Sequence, residues 1–247
     1  MSIDQDTRTG SAPQDTNTVL ILRRGIGVVG LLLPPAVTLG ACLSDGGLPG
    51  SMSATYYTEA RDVFVGGLCA IGVFLICYRP DTMRRSSFWR TENFWSTAAG
   101  ASAVAVALFP TLPNQEVVAV TDADRRIGLI HGVSAVVLFG ILAAFCLVFF
   151  PRLTAPHRTD GKVWRNKVYR SSGLIILAAI VLAVLSSLFL PETVYDWANP
   201  LLWCEAAAVW AFAVAWFVKG ETVLTDAQVD RLRSGRARRS PAVPAEG

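Results

Sequence analysis

A segment rich in hydroxyl and tyrosine side chains, SMSATYYTEARDVFVGG, lies directly before an apolar stretch and carries the first residues that could do chemistry. Asp62 begins that apolar stretch, while His131 and Glu205 lie about one helical turn inside two later ones. Two carboxylates and a histidine that lie close together can share protons unequally, so that one acts as an acid and another as a base. Asp62, His131 and Glu205 are therefore the candidate catalytic residues.

The same segment supplies the candidate substrate-binding residues, which are Ser53, Tyr56, Tyr57 and Arg61. Their hydroxyl and guanidinium groups suit a polar head, and the aromatic rings could stabilise a cation. An acid-initiated cyclisation of an isoprenoid would use such a site, and so would hydrolysis or transfer on a lipid-like substrate. Three further polar candidates are Asn114, Asp122 and Asp124.

Each candidate also has a structural interpretation. Asp62 could cap its helix, because a carboxylate at a helix amino terminus accepts backbone N–H bonds. Arg61 could pair with Glu59, and His131 could make a purely structural hydrogen bond. Glu205 lies inside LLWCEAAAVWAF without an adjacent charge, so its partner must come from another helix. The aromatic residues that suit a membrane-interface belt are the two tyrosines, Trp95, Trp197 and Trp203.

The composition predicts an all-α, polytopic membrane helix bundle. Apolar residues make up 52% of the chain and charged residues only 17%, and several apolar runs reach the roughly 20 residues that cross a bilayer. We predict a disordered cytoplasmic tail at 1–18, a transmembrane domain at 19–219 and a basic, mostly disordered cytoplasmic tail at 220–247. The six predicted spans lie near residues 25–43, 62–78, 94–109, 127–150, 172–190 and 200–218.

The distribution of Lys and Arg predicts the orientation, because short cytoplasmic loops carry an excess of them. With six spans, nineteen of the 22 fall on one side, leaving Arg61, Arg125 and Arg126 opposite. Both termini are therefore expected in the cytoplasm, with Asp62, His131 and Glu205 near the extracytoplasmic face. The basic residues are spread over separate loops, which argues against binding to nucleic acid.

The cysteines leave two alternatives open. Arg23 and Arg24, the apolar run and Leu39-Gly40-Ala41-Cys42 also resemble a lipoprotein signal with a lipidated cysteine, although the long polar leader and the later spans argue against cleavage. A disulfide between Cys42 and Cys204 is conceivable, since both lie near outer helix ends. No CxxC or HxxxH spacing occurs, so neither a metal nor another cofactor is expected.

A set of polar and aromatic positions carries a resemblance to known proteins. These are Ser53, Tyr56, Tyr57, RDVFVG at 61–66, ALFPT at 107–111, His131 and RNKVY at 165–169. With them, most of residues 20–220 resembles a widespread group of uncharacterised bacterial six-helix integral membrane proteins. The resemblance supports the architecture and the choice of polar residues, but it implies no activity. A fainter similarity is to seven-helix membrane hydrolases that bind zinc through Ser, Asp and three His, whose paired carboxy-terminal histidines and seventh span this chain lacks. The expected location is the bacterial inner or plasma membrane.

Three classes of function fit these features. The leading hypothesis is a membrane-embedded enzyme or binding protein that acts on a lipid-like or isoprenoid molecule by acid/base chemistry. A proton-coupled transporter would use His131 and Glu205 as protonation sites, although residues 20–110 and 128–219 show no convincing repeat. In a structural or partner-binding subunit, the polar residues would only hold helices together.

Overall fold

The computed structural model describes residues 12–79, 92–113, 119–152 and 160–220. Within these ranges the chain is helical, with connecting loops and no β-strand. The helices are α1 (Ala12–Asp45), a 3₁₀ helix (Ser53–Tyr57), α2 (Arg61–Cys77), α3 (Glu92–Leu108), α4 (Asp122–Ala144), a π-helical turn (Phe145–Phe149), α5 (Phe150–Arg152), α6 (Asp160–Phe189), α7 (Glu192–Ala198) and α8 (Pro200–Lys219).

Four of the described helices are long and apolar enough to cross a membrane. They contribute Thr18–Ser44, Asp122–Phe149, Gly161–Phe189 and Pro200–Lys219, which are 27, 28, 29 and 20 residues long. Helices α2 and α3 have 17 residues each, or about 25 Å at 1.5 Å per residue, which is slightly less than a bilayer core of about 30 Å. The chain is therefore an all-helical protein with membrane-spanning character, as predicted.

The predicted amino-terminal tail can be compared with the structure only in part, and the predicted carboxy-terminal tail hardly at all. Helix α1 begins at Ala12, inside the segment expected to be a disordered tail. The predicted carboxy-terminal tail lies outside the described residues beyond Gly220, and Asn114 lies outside them as well. Neither the 3₁₀ helix nor the short helix α7 was predicted from the sequence.

The long helices pack in a ring. Each contacts the next in the order α1, α2, α3, α4, α6 and α8, and α8 returns to α1. The crossing of α2 with α3 brings two glycines together. A Cβ atom on Gly100 would lie 2.5 Å from the carbonyl oxygen of Gly72, so only hydrogen fits there. The small residues of α3 thus allow the backbones of α2 and α3 to approach closely. In lipid, where the hydrophobic effect does not drive helices together, such close packing stabilises their association.

Helix α1 continues through Pro34 and Pro35 because another helix satisfies part of its backbone. A proline lacks the N–H that would bond the carbonyl four residues earlier, so Pro35 leaves the carbonyl of Leu31 without its helical donor. The indole Nε1 of Trp210 donates to that oxygen at 3.0 Å. Trp210 thereby joins α8 to α1 at the position where α1 is weakest.

Candidate functional site

The buried end of the loop between α1 and α2 is attached to α8 through Glu205. One oxygen of its carboxylate, Oε2, accepts the backbone N–H of Met52 at 2.6 Å, and Oε1 accepts the hydroxyl of Ser53 at 3.3 Å. Ser53 also shares a 3.1 Å hydrogen bond with Ser51, and Ser51 Oγ accepts the N–H of Ala54 at 2.9 Å. The carboxylate therefore holds the turn that begins the 3₁₀ helix.

The local sequence explains why Glu205 can reach this loop. Asn199 adopts a left-handed conformation with φ of 44°, which asparagine tolerates better than most residues. Pro200 then starts α8 at the first helical position, where its missing N–H costs nothing. Glu205 follows five residues later, about 7.5 Å along the helix axis. Ser51 and Ser53 are both buried beside it.

The other side of the loop forms an open polar cleft of about 540 Å³. The guanidinium of Arg61 lies over the ring of Tyr56, 4.2 Å from its centroid, and donates to the Tyr56 hydroxyl at 2.7 Å. Asp62 lies exposed in the first turn of α2, whose N-cap residue is Ala60 and makes no side-chain capping bond. The cleft lining runs through Tyr56, Tyr57, Thr58, Glu59, Arg61 and Asp62.

Two hydrogen bonds hold the segment that follows α3, one from the loop and one from α4. The phenol of Tyr57 donates to the carbonyl of Thr111 at 2.6 Å. Partial burial, helped by the negative charge of Asp124, raises the pKa of Tyr57 above its usual value, so the phenol keeps its proton at neutral pH. The Nδ1 atom of buried His131 lies 2.7 Å from the carbonyl oxygen of Phe109, just beyond the last residue of α3. A His131 that donates there satisfies a carbonyl that a helix end leaves without an intrahelical partner.

The structure therefore separates the candidate residues into groups. Glu205 and Ser53 lie on the buried side of the loop, whereas Tyr56, Tyr57, Arg61 and Asp62 line the cleft on its exposed side. His131 contacts the end of α3. Among the hydrogen bonds of the described residues, none joins any two of Asp62, His131 and Glu205, so their convergence on one cavity stays a prediction.

The chain matches no known protein-family model, no curated protein and no solved structure.

The resemblance to bacterial six-helix membrane proteins therefore stays a prediction. The contacts within the chain favour structural roles for several candidates. Asp124 completes a capping box at the start of α4, accepting the N–H and the hydroxyl of Thr121 at 2.9 and 2.7 Å. Arg61 contacts Tyr56, as described above, and no salt bridge to Glu59 is recorded among the described residues.

The described residues contain no cluster of three or more His, Cys, Asp or Glu side chains that could hold a metal ion. All five cysteines are free thiols, including Cys42 and Cys204, for which a disulfide was considered from the sequence.

A second polar cluster, which the sequence reading missed, lies at the opposite end of the ring. Arg23 donates to the hydroxyl of Tyr78 at 3.0 Å and to the carbonyl of Lys219 at 3.3 Å. Tyr78 packs edge-to-face on Trp216, with centroids 4.9 Å apart. Glu92 is buried nearby, at the start of α3. The charged residues Arg23, Glu92 and Lys219 were visible in the sequence, but nothing in the linear sequence indicated that they lie at the same end of the bundle.

Proposed function

We propose that this chain is a multi-pass protein of the cell membrane that binds a lipid-like or isoprenoid molecule at its extracytoplasmic end. The single observation that carries this proposal is the loop at Ser51–Asp62, which is fastened to α8 by a carboxylate inside a candidate span and opens a charged, aromatic cleft on its other side. Ionisable residues within membrane helices are costly and mark functional sites by default.

The proposed ligand class follows from the chemistry of the cleft. A guanidinium, two carboxylates and two phenols line it, which suits a polar or charged head. Helix α1 before the loop and helix α8, to which Glu205 attaches it, are long and apolar enough to cross a membrane, which suits a hydrocarbon tail. In the enzymatic form of the proposal, Asp62, His131 and Glu205 act as acids and bases on this molecule.

A structural role is the second candidate, and one observation favours it. Both oxygens of Glu205 accept hydrogen bonds from the loop, and the ring nitrogen of His131 bonds the end of α3. A subunit that only presents the loop to a partner protein would need these bonds and no ligand.

Ligand retention separates the two candidates. We expect a lipid-like molecule to co-purify with the wild-type chain in detergent. In Arg61→Ala, the amount of lipid retained per protein should fall at least about tenfold. The reason is that a hydrogen bond to a charged group contributes about 1.5–3 kcal/mol, and 1.4 kcal/mol is a factor of ten in affinity. Mass spectrometry of the organic extract, normalised to protein, measures this loss.

Arg125→Ala is the matched control, since Arg125 is an exposed arginine at the start of α4 and does not line the cleft. Its retained lipid should equal that of the wild type. Equal retention in all three proteins would contradict the binding proposal and favour the structural subunit.

The proposed topology has six spans and both termini in the cytoplasm, so that α2 and α3 also cross the membrane. Its support is the excess of nineteen basic residues over three between the two faces. Reporter fusions at residue 115 and after residue 220 should report an extracytoplasmic and a cytoplasmic position, respectively. A cytoplasmic signal at residue 115 would exclude this topology.

A further inference from the structure

An apolar groove of about 310 Å³ runs between α1 and α8 on the membrane-facing side of the ring. Pro34, Pro35 and Leu39 line it from α1, while Ala206 and Trp210 line it from α8. Both helices belong to candidate spans, so the groove faces hydrocarbon. Leu39 is 61% exposed and Trp210 is 37% exposed, which leaves the groove open to the bilayer.

The walls of the groove are held in place around the two prolines of α1. The indole of Trp210 is held by its hydrogen bond to the Leu31 carbonyl. The side chains of Pro34 and Pro35 are closed into rings and have no freely rotating bond. A groove with fixed walls binds a ligand without the entropic cost of ordering side chains on binding. It is therefore suited to a specific occupant.

The size and chemistry of the groove restrict what that occupant can be. Its volume of about 310 Å³ is enough to hold part of one hydrocarbon chain. The lining residues include no charged side chain, and their polar side-chain groups are the Thr38 hydroxyl, the Cys42 thiol and two indole N–H groups. A flexible hydrocarbon chain fits both limits.

We infer that this groove binds one hydrocarbon chain of the lipid-like ligand, an inference that rests on the proposed function. Leu202 and Ala206 line the groove, and Glu205 lies between them in α8. Trp203 and Cys42 lie at its outer end, near the start of α8 and the end of α1. A chain seated there directs the polar head of its lipid towards the extracytoplasmic loop that Glu205 holds.

Tryptophan fluorescence provides the test, because bromine atoms quench an indole that they contact and two tryptophans line the groove. The probe is phosphatidylcholine with one dibromostearoyl chain, titrated into the full-length protein in detergent micelles. We expect a saturable phase of quenching in the wild type. Leu39→Phe, which narrows the open mouth, should weaken its apparent affinity at least about tenfold, matching the loss of about 1.4 kcal/mol of chain contacts.

Leu32→Phe is the matched control, because Leu32 is an exposed leucine of α1 that does not line the groove. It should leave the saturable phase unchanged. Ala206→Leu blocks the groove from α8 and should act like Leu39→Phe. If this buried substitution prevents folding, the exposed Leu39→Phe variant decides the result alone.

Two outcomes would overturn the inference in distinguishable ways. Quenching that never saturates and is equal in all variants would show annular lipid contact only. A saturable phase that Arg61→Ala weakens but neither groove variant alters would remove the groove and leave the proposed function standing.

Discussion

Gly100→Val is expected to destabilise the bundle more than any other substitution proposed for this chain. The first side-chain atom would lie 2.5 Å from the Gly72 carbonyl oxygen and 3.0 Å from the backbone nitrogen of Ile76. Backbone atoms cannot rotate away, so α2 and α3 must separate. Overpacking of this kind costs about 3 kcal/mol, which lowers the melting temperature by on the order of 10 °C in a protein of this size. Thermal unfolding in detergent measures the shift.

Gly140→Ala is the matched control for this prediction. Gly140 is also a helical glycine within a candidate span, but a Cβ atom there meets no other atom within 4 Å. Alanine favours a helix over glycine by about 1 kcal/mol, so the melting temperature should stay the same or rise slightly. If Gly100→Val melted like Gly140→Ala, the close crossing of α2 and α3 would be wrong.

The second large effect is expected at Glu205, where two substitutions separate bracing from chemistry. Glu205→Leu removes both acceptors and leaves the N–H of Met52 and the hydroxyl of Ser53 without the carboxylate. An unsatisfied buried polar group costs about 1–3 kcal/mol, and Met52 and Ser53 are both buried. We therefore expect the loop to open, which hydrogen exchange at the amides of Met52 and Ala54 would detect as faster exchange.

Glu205→Gln should preserve the fold. The amide oxygen can accept the N–H of Met52, and the amide NH₂ can donate to Ser53, whose hydroxyl can then donate to Ser51. The change in stability should be near the roughly 0.6 kcal/mol average for a hydrogen bond between membrane helices. The substitution removes the charge and the titratable proton, however.

Turnover and lipid retention should therefore distinguish a Glu205 that acts on the ligand from one that only holds the loop. If its proton acts on the ligand, we expect turnover to fall by about 100-fold, which is typical of a lost general acid or base, while the melting temperature is kept. Normal turnover together with normal lipid retention in Glu205→Gln would remove Glu205 from the binding and catalytic site. The residue would then be a brace for the loop, and the structural subunit would become the better interpretation.

The sequence by itself determined the architecture of this protein to a useful degree. The apolar run near 200–218 became α8 (Pro200–Lys219) with nearly the predicted limits, and the run near 62–78 became α2 (Arg61–Cys77). This succeeds because a bilayer admits few alternatives to a helix, whose backbone bonds are satisfied within the segment. The same reasoning identified Glu205 as a residue whose partner had to come from elsewhere in the fold.

Only the tertiary structure decided which groups meet. The partner of Glu205 is the start of the 3₁₀ helix at Met52 and Ser53, which carries no helical periodicity that a sequence reading could detect. Tyr56 and Arg61 of the same loop line the open cleft. These residues are nearly adjacent to Ser53 in sequence, but only the fold shows which groups each of them contacts.

The helix contacts were equally hidden in the linear pattern. Helices that are apolar on all faces give no stripe from which their rotation can be read, so neither the Gly72–Gly100 crossing nor the bond from Trp210 to Leu31 could be foreseen. These contacts depend on which faces pack with the fewest voids and which backbone groups a proline leaves without a donor. Those are properties of two helices together, and they become fixed only when the bundle assembles.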